Sequence, residues 1–149
     1  MKTGRRHVLG LALGLALGLS IPFTSGCEKL DAPADPVWGK EPCAHCRMLV
    51  GDRRFAAQAV AGGDRLYFDD IGCFVLWARE RTPARAWVRD AEHDRWLEAS
   101  AARYASGART PMDFGFEGRA DGSATVGFEE MRASVLARAK AERAERSER

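Results

Sequence analysis

Apolar and polar positions along the chain fall into three regimes. From Val8 to Leu19 the run VLGLALGLALGL is apolar without a break. From Met48 to Phe68 short apolar runs are cut by polar and glycine-rich turns. MLV (48–50) and FAAQAV (55–60) predict strands separated by a GDRR turn, and Gly62–Asp64 predicts a tight connection into RLYF. The period then changes. Ile71, Phe74, Val75 and Ala78 recur at helical spacing and predict a helix within Asp69–Arg81. Asp69 or Asp70 is placed to cap its first turn, and Thr82–Pro83 stops it.

Alternation returns in ARAWVRD and RWLEAS, a predicted hairpin connected through Asp90–Asp94, with Trp87 and Trp96 as core aromatics. Ala101–Tyr104 predicts one helical turn and SGARTP (106–111) a loop. Phe114, Phe116, Val126 and Phe128 are expected on edge strands. Glu129–Arg149 predicts a helix with Met131, Val135 and Leu136 as its apolar stripe, its end fraying where AERAERSER offers no core-facing side chain. The fold class expected is α+β: one small domain of short antiparallel strands with packed helices, possibly built as two related strand and helix units.

The opening apolar run is 12 residues long, whereas a membrane-spanning helix needs roughly 20. Lys2, Arg5 and Arg6 precede it and TSGC (24–27) follows, which reads as an export leader. The cysteine after Ser25–Gly26 resembles a bacterial lipoprotein signal, with cleavage before Cys27 and lipid on its sulfur; plain secretion with cleavage near Gly26 is the alternative. The expected organisation is a leader over 1–26, a flexible membrane tether over 27–42, a folded domain over 43–138 and a frayed charged tail over 139–149. Pro33, Pro36 and Pro42 interrupt the tether, and Trp38 is its first expected docking point on the domain.

The 149 residues include 23 basic and 21 acidic ones. The leader holds three of the basic residues and no acid, so the exported chain carries 20 against 21, a net charge of −1. No basic block interleaved with aromatics remains, which argues against a nucleic-acid groove. About 123 residues suffice for one hydrophobic core. Catalytic signatures are also missing: there is no Gly-x-Ser-x-Gly, no phosphate-binding glycine loop and no His-Glu-x-x-His.

The densest patch of soft chemistry is PCAHCRML, which places Cys43, His45, Cys46 and Met48 within six positions. Beyond Cys27, the exported chain has only Cys43, Cys46 and Cys73. That odd number leaves at least one thiol free, bound to a ligand or paired outside the chain. Four readings compete. A structural disulfide between Cys43 and Cys46 is the plainest. A closed zinc site needs about four ligands, and Cys73, His45 and His93 are candidates to complete it. A thioredoxin-like pair needs a helix N-terminus after a strand, whereas here a proline-rich stretch precedes the motif. The fourth reading uses Met48, because thioether and thiolate together suit Cu(I). Met112 is the second soft residue of interest, on a loop broken by Pro111 and flanked by Gly107 and Gly115. Met48 taken alone reads as core, since Leu49 and Val50 continue an apolar run, and Met131 as a core residue of the last helix. Cys73 reads first as a small buried hydrophobe and second as a ligand. Asp69 and Asp70 read first as helix caps; carboxylates are poor partners for Cu(I).

EPCAHCRM, the strand pair after it, YFDDIGC at Tyr67–Cys73 and TPM at Thr110–Met112 together resemble the NosL family, over about residues 38–135. Its members are lipid-anchored accessory proteins that carry copper for nitrous oxide reductase. The resemblance implies an extracytoplasmic Cu(I) metallochaperone, not an enzyme, on a small α+β domain. It implies a metal held by an early cysteine, here Cys43, and a distant methionine, here Met112, with Cys46 and Met48 at the remaining motif positions. His45, Asp69, Asp70 and Cys73 stand as additional ligands or supporting groups. The implied partners are membrane lipid through Cys27 and a copper acceptor enzyme or an ABC-type maturation complex. Arg47 stands where many members have glycine, so the loop lacks a glycine's backbone freedom at that position.

Overall fold

Gly62 and Gly63, at φ of +63° and +88°, supply the two left-handed residues that a tight hairpin between right-twisted strands requires. In the computed structural model, which describes residues 30–122 and 125–149, this hairpin joins β1 (Ala57–Ala61) to β2 (Asp64–Phe68). β3 (Arg85–Arg89) and β4 (Trp96–Glu98) complete an antiparallel sheet in the order β2-β1-β3-β4. A second sheet has the order β6-β5-β7, with β5 at Arg103–Ser106, β6 at Phe116–Arg119 and β7 at Thr125–Val126. Helix α1 (Ile71–Trp77) follows β2, continuing as a 3-10 turn to Glu80, and α2 (Phe128–Ser147) follows β7. The class is α+β, as the pattern predicts.

The sheets meet at Gly118. Ala91 N–H donates to its carbonyl at 2.8 Å, and a Cβ added there would stand 2.5 Å from the Arg89 carbonyl oxygen. Only glycine permits that approach. A run of aromatic contacts then crosses the core. Phe68 on β2 meets Phe74 on α1 at 5.5 Å between ring centroids, Phe74 meets Phe128 on α2 at 6.3 Å, and Phe128 meets Tyr104 on β5 at 6.1 Å. Both sheets and both helices therefore share one core. The buried Tyr104 hydroxyl donates to the Ala99 carbonyl at 2.6 Å, which satisfies its polar end.

Several local expectations differ from the structure, each for a physical reason. MLV makes only one bridge, Leu49 to Pro42, because the groups that would extend it are taken by local turns: Glu41 N–H donates to the Val37 carbonyl and Arg47 N–H to the Cys43 carbonyl. Phe55 ends a 3-10 turn, and the strand begins at Ala57. The turn expected over 101–104 closes earlier, with Ala101 and Ala102 N–H donating to the Glu98 carbonyl, and Arg103 and Tyr104 enter the central strand of the second sheet. Phe128 opens α2 instead of lying on a strand. The helix keeps its ladder to Ser147, although residues 140–149 are all exposed.

The leader and Cys27 lie outside the described residues. From Ala32 onward, the segment expected as a free tether is fastened to the first sheet. The buried Gln58 side chain exchanges two 3.1 Å hydrogen bonds with the backbone of Ala34, as a strand neighbour would. Arg65 donates to the Ala32 carbonyl at 2.8 Å. Asp35 accepts from Trp96 Nε1 at 2.8 Å and from the buried Arg89 at 3.1 Å. The Arg89 guanidinium also faces both Trp38 and Trp96, 5.7 and 5.0 Å from their ring centroids. Composition makes this segment look like a linker; its contacts are polar side-chain bonds and cation to ring, which leave no hydrophobic period.

Gly72, in the first turn of α1, faces Phe114: a Cβ there would stand 2.1 Å from the ring carbon Cγ. Helix propensity alone favours alanine at this position by about 1 kcal/mol. The contact reverses the sign. Gly72→Ala should destabilise the protein by about 1–3 kcal/mol in a denaturant titration, as overpacking of a well-filled core does; a stabilised variant would show that the ring does not rest on the glycine.

Candidate metal centre

Cys43 opens a loop closed on itself by two backbone bonds, Cys43 N–H to the Met48 carbonyl at 2.7 Å and Arg47 N–H to the Cys43 carbonyl at 3.1 Å. Ala44 N–H donates to the Tyr67 carbonyl at 2.8 Å and hangs the loop on the end of β2. Immediately after β2, Asp70 Oδ1 accepts from Gly72 N–H at 2.8 Å and starts α1, so that Cys73 falls in the helix's first turn. Loop and helix thereby bring three free thiols together: the sulfurs of Cys43, Cys46 and Cys73 all lie within 4.8 Å of one another. Cys43 and Cys73 are fully buried, and Cys46 is half-buried. Among the described His, Cys, Asp and Glu donors, the group holds these three alone.

The three thiols are electrostatically unequal. The Cys73 S–H donates to Cys43, and backbone N–H groups of Asp69, Cys46 and His45 also face the Cys43 sulfur. Together they outweigh its burial and hold Cys43 well below the usual thiol range. Cys73 is pushed up, first by donating that hydrogen bond and then by burial. Cys46 is pushed up mainly by burial, against a backbone hydrogen bond at Met48. The cluster is a thiolate solvated by thiols and amides. Such a donor set suits a soft metal ion, and three sulfurs without a fourth His or Cys do not complete a closed tetrahedral zinc site.

The other candidates occupy distinct positions. Burial pushes the Asp69 carboxyl up, and its Oδ1 accepts from Gly51 N–H at 3.1 Å. Asp70 is wholly buried, and its oxygens are occupied: besides capping α1, its Oδ2 accepts from Thr110 Oγ1 at 2.5 Å and from Met112 N–H at 2.9 Å. Its lone pairs face the protein's own donors, which leaves it a supporting rather than a metal-binding role. That carboxylate joins the Met112 loop to the helix carrying Cys73 across 42 positions of sequence. Met48 and Met112 are among the few large apolar side chains left open, at 49% and 36% exposure. His45 is exposed, and His93 is exposed in the β3–β4 connection, its Nδ1 3.2 Å from Asp90.

Arg47 and Asp113, at φ of +69° and +59°, are the two non-glycine residues with positive φ among the described residues. Each adjoins a methionine of interest. The left-handed region costs roughly 1–2 kcal/mol for an ordinary side chain and less for aspartate. The loop thus adopts at Arg47 the conformation that glycine would take freely. Sequence reasoning ranked Cys73 as core first, and the odd third cysteine in a helix's first turn was the signal for more. Thr110 belongs to the TPM element but only its methionine points to chemistry there, and Phe114 carries no chemical signal. Their roles depend on where the chain returns.

Titration of the reduced protein by ultraviolet thiolate absorbance should show one thiolate already formed near neutral pH, well below the ordinary thiol range. Cys73→Ala removes the donor and should move that ionisation upward. An unchanged titration in this variant would show that Cys73 does not hold the Cys43 thiolate.

No family model matches the chain, and no curated protein sequence is significantly similar to it. Its structure is similar to the crystal structure of the copper chaperone NosL from Shewanella denitrificans, with a TM-score of 0.53, 12% identity, and coverage of 70% of this chain and 86% of that one. At that identity the likeness speaks for the fold alone. The protein has the fold of a NosL-type copper chaperone.

Proposed function

We propose that this protein is an extracytoplasmic carrier of Cu(I), held to the membrane by lipid on Cys27, that delivers its cargo to a copper enzyme under assembly, nitrous oxide reductase being the acceptor the family resemblance suggests. The observation that carries the reading is the meeting of three sulfurs within 4.8 Å, two buried and one half-buried. Cu(I) prefers soft, low-coordinate sulfur sites. Cys43 supplies a ready thiolate, Cys46 and Cys73 lie beside it, and the thioethers of Met112 and Met48 are the further candidate ligands. The fold likeness to a copper chaperone supports the same reading. A carrier must also release its metal. Cys46 and the exposed methionines are the ligands an acceptor can reach, while Cys43 and Cys73 retain the ion.

Competition against a Cu(I) chelator under reducing conditions should show one ion bound per chain. Cys43→Ser should abolish tight binding, and Met112→Ala should weaken it by about tenfold or more. Binding unaffected by removal of all three thiols would instead favour a tethered interaction module, and a preference for zinc over Cu(I) in the same assay would sink the copper reading. Since Cys46 and Cys73 hold their protons above the usual thiol range, coordination must displace them, and affinity should rise with pH across the neutral region. Mass spectrometry of the membrane-extracted protein should find an acylated N-terminal Cys27; a soluble, unmodified product would remove the anchor from the proposal.

A further inference from the structure

We propose that Asp70 and Thr110 form a buried latch whose role is to position Met112 for binding at the thiol cluster. The inference rests on Met112 being a ligand, and it assigns Thr110, so far only the first position of the TPM element, a part in metal affinity.

The geometry is a closed circuit of hydrogen bonds. Asp70 Oδ1 holds the first turn of α1, two residues before Cys73 comes into place. Its Oδ2 accepts from the Thr110 hydroxyl at 2.5 Å and from the Met112 amide at 2.9 Å. The Thr110 oxygen in turn accepts from Gly115 N–H at 3.2 Å, and the Thr110 carbonyl accepts from Asp113 N–H at 3.0 Å. The loop 110–115 is thus folded around one threonine side chain and fastened at the Met112 backbone to the helix that carries Cys73. Asp70 and Thr110 are both buried, so water does not compete for these bonds. Phe114, resting on Gly72, pins the same loop to the same helical turn from its apolar side. Met112 itself stays partly exposed. Its backbone is fixed at the amide while the residue keeps this exposure.

This arrangement explains why the loop keeps Asp113 at positive φ immediately after Met112. A turn that must return Gly115 N–H to the Thr110 hydroxyl has little choice of path. Thr110→Val preserves the shape of the side chain and removes both the proton given to Asp70 and the oxygen that accepts from Gly115. Thr110→Ser keeps both.

The test is a double-substitution cycle on the full exported chain, with Cu(I) affinity by chelator competition as the main measurement. Thr110→Val should weaken Cu(I) binding about tenfold, a usual cost for losing a group that orients a metal ligand, and Thr110→Ser should restore it. In a Met112→Ala background, Thr110→Val should cost nothing more, because the latch then has no ligand to place. X-ray absorption should show the same loss of a sulfur neighbour in Thr110→Val and Met112→Ala, and apoprotein unfolding curves separate this from a loss of stability. If Met112→Ala weakens binding but Thr110→Val does not, or if the two losses simply add, the latch is overturned while Met112 remains a ligand. If Met112→Ala itself leaves affinity and sulfur coordination unchanged, the ligand reading fails and the latch falls with it.

Discussion

A carboxylate removed entirely from water must find its hydrogen bonds inside the protein, and at Asp70 that requirement organises everything around it. An unpaired buried charge costs several kcal/mol. Asp70 meets the demand with donors from two distant parts of the chain, the first turn of α1 and the 110–112 loop. Satisfying one side chain therefore fixes the angle at which α1 leaves β2, the depth of Cys73 and the place where a loop some 40 residues later must return. The glycine at position 72 belongs to the same constraint, because the helix can accept the loop so closely only where no Cβ intervenes.

The cysteines obey a complementary logic. Grouping three thiols in a core is tolerable when they share one negative charge, and the hydrogen bonds place that charge on Cys43. The neighbours pay by becoming harder to ionise. A soft monovalent cation arriving at such a site meets a thiolate already in place and displaces protons from the other sulfurs as it binds. The fold supplies this asymmetry through backbone amides and a neighbouring thiol, with no contribution from a cationic side chain among the described residues.

Much of this was legible in the sequence, and the remainder was hidden for reasons that particular residues show. The period change from RLYF to the helix was readable because burial acts on one face of each element, and a cap at Asp69 or Asp70 followed from the first-turn amides, the structure placing it at Asp70. The Cys43–Cys46 spacing announced soft chemistry. Cys73 was ambiguous, since a cysteine in a helix's apolar face has the same pattern whether its sulfur merely packs or meets two others. Tyr104 looked helical because alanines surround it, and only the pairing partners Gly118 and Val126, far along the chain, make it a strand residue. Thr110 shows the limit most plainly: the physical content of that residue lies in a partner 40 positions away.

The docking of residues 32–42 changes the mechanics of any membrane anchor. With the Trp38–Arg89–Trp96 contacts and the Ala34–Gln58 exchange holding that segment to the sheet, a lipid on Cys27 would stand five residue steps from the fastened Ala32, a reach of at most about 17 Å. A domain anchored in that way would explore a thin layer beside the bilayer instead of a deep volume above it. Its encounters would then be governed by lateral diffusion and by which side of the domain faces outward, and a copper acceptor would have to come within that layer to be reached.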